Sequence, residues 1–399
     1  MSVSVTHRPQ ATQGDGGGAA APMRRDDVRI TRVETRRDRR AFVELPYRLY
    51  RDTPAWVPPL RRDEYHRLSP RHNPFHAHAS IELWLAWRGD RVAGRIAAIE
   101  DRLHNDTHGE RLTWFGFFEA EDAGVAQALL ATVEAHAAAR GHQAVRGPAN
   151  PSLNDSVGLL VDAFEHQPYI MMPYNPPSYR GFIEAAGFTK VKDLLAWDID
   201  MTEPLGGRIA RLQERLASRR RIQIRPVRMT RDGFQADLDH LKTIYRAAWS
   251  DNWGFVPPTD AEIQQLAVEL KPVVDPELAL FAEVDGKVAG CALALPDLNQ
   301  VLRHMNGRLW PLGVIHFLRR RSLITRARVL LLGVLPPFRR FGLYPLLIAD
   351  LHRRGRARGY TRGELSWTLE DNHLVNEGIA AAGGRHHKTY RLFEKPVTR

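Results

Sequence analysis

Cysteine is almost absent: Cys291 stands alone among 399 residues, so neither a disulfide framework nor a multi-cysteine metal site can be built. No metal is expected. Long apolar runs are missing as well. No stretch approaches the roughly 20 apolar residues that a membrane-spanning helix needs. Residues 1–27 carry no apolar signal region, and with Gly16-Gly17-Gly18 followed by Ala19 to Pro22 they read as a disordered leader. The expectation is a cytoplasmic protein, at most peripheral on the inner membrane face. Acidic charge is in deficit, 46 Asp and Glu against 57 Lys and Arg, for a formal net charge of +11. That excess suits an anionic partner. It does not point to nucleic acid, because no helix-turn-helix, zinc-finger or stacking-aromatic signature accompanies it.

What the chain has in abundance is repetition. Trp56-Val57-Pro58-Pro59 recurs as Phe255-Val256-Pro257-Pro258, and Asp90-Arg91-Val92-Ala93-Gly94 as Gly286-Lys287-Val288-Ala289-Gly290. Trp114-Phe115-Gly116-Phe117 matches Leu331-Leu332-Gly333-Val334, and Ala139-Arg140-Gly141 matches Ala357-Arg358-Gly359. Both halves also read in one element order. A short strand leads to a helix (38–51; 237–249), then a hairpin turning at Gly89 or Gly286. An apolar strand follows (112–118; 329–334), then a helix (125–140; 345–358) and a further strand (143–147; 363–368). Interleaved strands and helices imply an α/β (α+β) chain of two tandem domains, each a mixed sheet flanked by helices. The expected boundaries are a leader at 1–27, domains at 28–204 and 222–399, and a helical linker at 205–221.

The second half carries the clearest chemical motif. A buried-strand run ending at Gly333, Val334 and Leu335 is stopped by Pro336-Pro337, then comes Phe338-Arg339-Arg340-Phe341-Gly342-Leu343-Tyr344 before a helix opening at Pro345. Loop N–H groups and a helix N-terminus converge there on an anion site, and Gly342 permits close approach. Strand, Arg-x-x-Gly-x-x, helix resembles the acyl-CoA pyrophosphate loop of GNAT acyltransferases. Tyr344 stands where that family has Gly or Ala. Asn372, with Gly383 eleven residues later, resembles the Asn…Gly-Phe element of the family's next helix. In the first half, Glu121 and Asp122 fall opposite Arg339 and Arg340 at an offset of 218, with Glu119 nearby. Such acids repel a pyrophosphate by about 1 kcal/mol or more per close pair. The first half therefore reads as a scaffold, as in other tandem GNAT enzymes.

The resemblance implies attack of a neutral amine on an acyl-CoA thioester. The cofactor residues it implies are Gly333, Val334, Leu335, Arg339, Arg340, Phe341, Gly342, Leu343, Tyr344 and Asn372. Backbone N–H groups near Gly333 to Leu335 would face the oxyanion, while Ile379 occupies the usual position of a thiolate-protonating Tyr. Candidates for proton handling are Glu370, Asp371 and His373, after the 363–368 strand; Asp371 or Asn372 equally suits a helix cap. His386 and His387 read as surface residues, since neighbours on a strand face opposite ways. Asn252, Trp253 and Phe255 fall where the family builds its acceptor side, and Tyr174 and Asn175 belong to an irregular segment suited to a groove between halves.

An insert at 306–321, with Trp310 and a basic Arg319-Arg320-Arg321 flank, suits a membrane-surface element or an acyl-chain lid. A core helix with a basic end fits equally. Insert and preceding segment resemble a group of bacterial tandem GNAT proteins associated with ceramide synthesis. Three readings stay open: N-acylation of a lipid amine, N-acetylation of a small amine or protein terminus, and a non-catalytic ligand-binding module. The donor arm is compatible with CoA or an acyl carrier protein.

Overall fold

A computed structural model of the chain describes residues 27–205, 221–250, 252–309 and 323–397. The leader, nearly all of the 205–221 linker and most of the 306–321 insert lie outside the described residues.

The first half runs β1 (Val28–Arg32), α1 (Arg36–Leu49), α2 (Arg61–Arg67), β2 (Ala79–Arg88), β3 (Arg91–Asp101), α3 (Arg102–His108), β4 (Leu112–Ala120), α4 (Ala123–Ala139) and β5 (Ala144–Gly147). Short strands β6 (Ala149–Asn150), β7 (Ser156–Val157) and β8 (Leu159–Leu160), α5 (Ser178–Ala185) and β9 (Thr189–Asp200) close it. The second half repeats the order as β10 (Ile222–Pro226), α6 (Arg231–Ala248), α7 (Asp260–Leu270), β11 (Ala279–Val284), β12 (Lys287–Pro296), α8 (Asn299–Leu302), β13 (Arg326–Val334), α9 (Leu343–Ala357), β14 (Arg362–Leu369), α10 (His373–Ala381) and β15 (Arg385–Pro396). Local chemistry explains the starts. Thr35 with Asp38, and Thr259 with Glu262, form reciprocal capping boxes that satisfy orphan N–H donors at α1 and α7. The hairpins turn where Gly89 and Gly286 take positive φ.

Among the described residues the two halves share one sheet, in the order β1-β2-β3-β4-β5-β15-β9-β14-β13-β12-β11-β10, with β8 beside β15. The closing strands are exchanged. β15, from the second half, lies between β5 and β9, and β9, from the first half, pairs with β14. Helices cover both faces. One core packs α4 against β2–β5 around Ile96, Phe115, Leu129 and Leu130. Another packs α9 against the second half's strands around Leu280, Ala327, Leu347 and Leu365.

Polar contacts tie the halves on a second level. His78 Nδ1 lies 3.0 Å from Asp101 and its Nε2 3.4 Å from Glu262 of the α7 capping box. The Asp101 bond, with that to Glu262, raises the imidazole pKa to about 9, against the opposing effect of burial. A folded-state pKa above the unfolded 6.5 adds stability that is complete below pH 6.5 and is lost as pH rises through about 9. Discounted for solvent screening, the contribution is on the order of 1–2 kcal/mol. Urea denaturation across pH 6 to 10 is expected to show wild type losing that margin over His78→Gln as pH rises; parallel profiles would disprove the link.

Candidate active site

The second-half site begins with two strands that part. β13 pairs in parallel with β14 only from Arg326↔Arg362 to Val329↔Leu365. On its other edge β13 is irregular against β12, where Ala294 faces Val329 and Leu293 faces Leu331, leaving Leu330 unmatched. The result is a gap walled by the half-buried Leu330 to Leu332. At its open end the chain makes a 3₁₀ turn over Pro336–Phe341, Gly342 takes φ 72°, and α9 starts at Leu343. Pro345 is thus the third helical residue, not the first as the sequence suggested. No side chain caps α9 and its first turn holds no acid. Orphan N–H donors, a positive dipole end and the exposed Arg339 and Arg340 make a site that fits a pyrophosphate. The backbone donor of Leu335 is less available than expected: its N–H is engaged by the Ala289 carbonyl at 2.9 Å.

At the apex of the gap, Val329 and Leu365 turn toward α9 and border a small apolar cavity of about 40 Å³ with Ile199, Met201, Ile348 and Leu351. Alternation along the strands sends their neighbours Arg328, Glu364 and Ser366 to the opposite face.

The first half has the same parting of strands but no cradle. β4 and β5 pair only from Leu112↔Ala144 to Trp114↔Arg146. The space beyond is filled by the chain's own β6 segment: Asn150 Oδ1 accepts from the Phe117 N–H. The pyrophosphate loop is missing, not merely recharged. β4 ends at Ala120 and Asp122 already caps α4 through the Val125 N–H, where the second half spends residues 335–342 on its turn. This corrects the match of Trp114–Phe117 with Leu331–Val334, while the offset of 218 holds for the ends of α4 and α9 and the starts of β5 and β14. By strand pairing Gly94↔Ala120 corresponds to Gly290↔Val334, so residue matching along the central strands had slipped by three. The acids are not a repulsive loop either. Glu119 is buried, bonded to Tyr50 at 2.6 Å and Tyr179 at 2.8 Å, and Glu121 pairs with Arg48 and Arg91.

The remaining sequence candidates fall in three places. Glu370 bonds Lys190 at 2.5 Å and Asp371 bonds Lys192 at 2.7 Å; the Lys192 bond holds the Asp371 carboxyl below its usual range. Asn372 caps α10 through the Val375 N–H, and His373 is exposed at the helix start. Ile379 is core. Trp253 lies under Arg146 and Lys192 at 5.2 and 5.6 Å, and Phe255 packs on Tyr245 while its carbonyl meets His108. Half-buried Asn252 closes that turn through the Trp249 carbonyl. Trp253 and the Phe255 carbonyl therefore dock the halves together, while Asn252 shapes the turn within its own half. Asn175 clamps both backbone groups of Leu160, and Tyr174 donates to the Phe164 carbonyl.

One cluster escaped the sequence reading. His387 is not a free surface residue: its Nε2 is 2.9 Å from Glu364, which is 0% exposed. Glu364 Oε1 accepts from Ser366 at 2.6 Å, and Ser366 Oγ accepts from Arg328 at 2.8 Å. Arg328 also donates to the Ile170 carbonyl, and Lys388 to the Gln167 carbonyl at 2.6 Å, so a first-half loop roofs the network. Buried Asp297 anchors that loop through the Ile170 N–H at 3.0 Å. An acid, two cations and an imidazole on β13, β14 and β15 were individually unremarkable letters; they meet across one face of β9.

Similarity to known proteins completes the picture. The chain is 36% identical over 382 residues to "Bacterial ceramide synthase" of Caulobacter vibrioides, spanning 93% of this chain and 98% of that one. It is 32% identical over 368 residues to "Protein YghO" of Escherichia coli, spanning 90% and 93%. A tandem GNAT protein from the clavulanic acid biosynthesis pathway superposes with a TM-score of 0.54 at 13% identity, covering 94% of this chain and 99% of that one. The chain belongs to this family of tandem GNAT acyltransferases. A fungal glucosamine N-acetyltransferase region gives a TM-score of 0.56 at 13% identity, over 92% of this chain and 38% of that one. At such identities the structures speak for the fold alone. No protein-family model matches the chain. Membership makes the protein an acyltransferase with acyl-CoA as co-substrate and an amine as acceptor. Among the described residues, no helix is long and apolar enough to cross a membrane.

Proposed function

We propose that this protein transfers a long acyl chain from acyl-CoA to the amine of a lipid, with the second half binding CoA and the first half serving as scaffold. The observation that carries the reading is the asymmetry of the two gaps. One opens onto an uncapped, acid-free helix N-terminus with arginines beside it; the other is filled by its own chain and capped by Asp122. The pyrophosphate would rest on the N–H groups of Leu343, Tyr344 and Leu346, with Arg339 and Arg340 neutralising charge, and the pantetheine arm would enter between β13 and β14. The lipid amine is supported by the relative named as a ceramide synthase, matched over nearly its whole length. The apolar apex of the gap suits an acyl group, and a peripheral membrane contact through the 306–321 insert would give access to a lipid acceptor. An acyl carrier protein would present the same arm without the nucleotide. Glu370, Asp371 and His373 are weaker candidates for proton handling than their position in the sequence suggested, because two are spent in ion pairs.

Isothermal titration with acetyl-CoA, palmitoyl-CoA below its micelle threshold, and free CoA tests this. Palmitoyl-CoA is expected to bind at one site per chain and more tightly than acetyl-CoA. Arg339→Glu is expected to weaken it at least tenfold, since reversing a phosphate-facing charge costs on the order of 1–3 kcal/mol. Preference for acetyl-CoA with turnover on a small polar amine would replace the lipid reading with the small-amine one.

A further inference from the structure

Around the middle of β9 both neighbouring strands lose register at one level. On β14, Leu365 faces Trp197 and Thr368 faces Leu195, so Ser366 and Trp367 together stand against Ala196. On β15, His386 faces Trp197 and Lys388 faces Ala196, so His387 is the extra residue. Bulges of this kind re-aim a side chain and concentrate beside active sites. Between them lies Ala196, too small to separate the strands' side chains, and His387 reaches across it to Glu364. The position within the sheet is equally specific. Glu364 directly precedes Leu365, the last residue of β14 that pairs with β13 before the gap opens. Its face is the one opposite α9, where an acceptor can approach a thioester held in the gap.

Burial grades across this group. Glu364 is 0% exposed and Arg328 3%, while the His387 side chain keeps 19%. The imidazole is thus the network's contact with the outside. Glu364 on β14 and His166 on the roofing loop meet the imidazole itself; around the network as a whole stand Arg328 and Arg326 on β13, Asp198 on β9 opposite Glu364, Lys388 and His386 on β15, Asp297 beyond β12 and Asp162 on the roofing loop. Arg326 pairs with Asp297 at 2.7 Å, and against the upward push of burial the His387 bond, the Lys388 charge and the Ser366 bond hold the Glu364 carboxyl below its usual range, so the carboxylate faces the imidazole's Nε2 and the other ring nitrogen is left to meet a ligand.

We propose that His387 is the base that takes the first proton from the acceptor ammonium, with Glu364 as its positioning residue. The site is therefore completed by a strand the second half lends to the first. The inference rests on the acyltransferase reading above. The ammonium gives one proton to His387, and the freed nitrogen forms the C–N bond as the thioester C–S bond breaks. The second proton shed by that nitrogen balances the departing CoA thiolate, and His387 releases the first to solvent. General-base assistance of this type is worth about 10²- to 10⁴-fold.

The test compares wild type, His387→Gln and His387→Gly for palmitoyl-CoA binding by calorimetry, thermal melting, and acyl transfer to a long-chain amino diol across pH 5.5 to 9. Histidine ring signals are followed by NMR during the palmitoyl-CoA titration. Expected are melting points and acyl-CoA affinities within twofold of wild type, a fall in kcat/KM of at least 100-fold, and loss of the ascending pH limb in His387→Gln. Imidazole should restore part of the rate to His387→Gly, and the His387 ring signal should move when palmitoyl-CoA binds. Full activity in His387→Gln, or a ring signal unmoved by saturating acyl-CoA, overturns the assignment. If acyl-CoA binds and moves the ring but no amine is acylated by wild type, the lipid-amine reading fails while the placement of His387 at the gap stands.

Discussion

Expressed separately, residues 27–205 and 221–399 are expected to be unfolded or aggregated; expressed together they should assemble and melt in one transition. β9 has both its neighbours, β14 and β15, in the other half. Without the second half, β5 and β9 each present an unpaired edge, and the apolar side of β15 is lost with Tyr390, Leu392 and Phe393, each 0% exposed. Removing one such side chain costs about 2–5 kcal/mol. Three together match the roughly 5–15 kcal/mol that holds a whole domain. Charged pairs make the exchange specific: Arg146 meets Glu394 at 2.6 Å, Glu134 meets Lys395 at 2.6 Å, and Asp198 meets Arg362 at 2.6 Å, all across the halves. Circular dichroism and size-exclusion chromatography of the separate and joint products decide the matter. A first half that melts cooperatively alone would mean its closing strand can fold back within its own sheet, and that the domain boundary at 205–221 is a boundary of stability too.

Which parts were legible follows from which forces are local. The hairpins at Gly89 and Gly286, the strand ending at Val334 and the helices at 123–139 and 343–357 rest on turn chemistry and on periods of 2 and 3.6, which a single sequence carries. The order of elements in both halves was therefore readable, and with it the GNAT resemblance. The exchange of β9 and β15 was not. Either strand's burial pattern satisfies either sheet edge, and the choice is made by partners far along the chain, such as Glu394 for Arg146, 248 residues away. Alignment by short matches slipped because the two central strands are irregular at different places and the second half alone has the 3₁₀ turn at Pro336–Phe341. Glu364, Lys388 and Arg328 were passed over for a related reason. A charged letter in a strand reads as a solvent-facing position, and nothing local reports that its counter-charge arrives from another strand.

Gly116→Ala is expected to destabilise the protein by about 3 kcal/mol or more, the upper end of what overpacking costs. A Cβ at Gly116 would sit 1.8 Å from the Ala149 carbonyl oxygen and 3.1 Å from Ile99. The first contact is backbone, so no rotamer change relieves it. Nor can the segment withdraw cheaply, since Ala149 and Asn150 are paired to Val157 and Ser156, Asn150 holds the Phe117 N–H, and Ser152 is fixed to Asp155 at 2.7 Å. Gly89→Ala is the control: φ there is +58° but nothing lies within 4 Å, so only the backbone preference of about 1 kcal/mol is lost. Urea denaturation of both variants beside wild type gives the comparison. On the proposed reading of the first half as scaffold, Gly116→Ala protein that remains folded should still bind palmitoyl-CoA with wild-type affinity and one-to-one stoichiometry. Near-wild-type stability would mean that the β6 segment is loosely seated and can leave the first gap. A second equivalent of acyl-CoA in that variant would then turn the scaffold half into a second binding site.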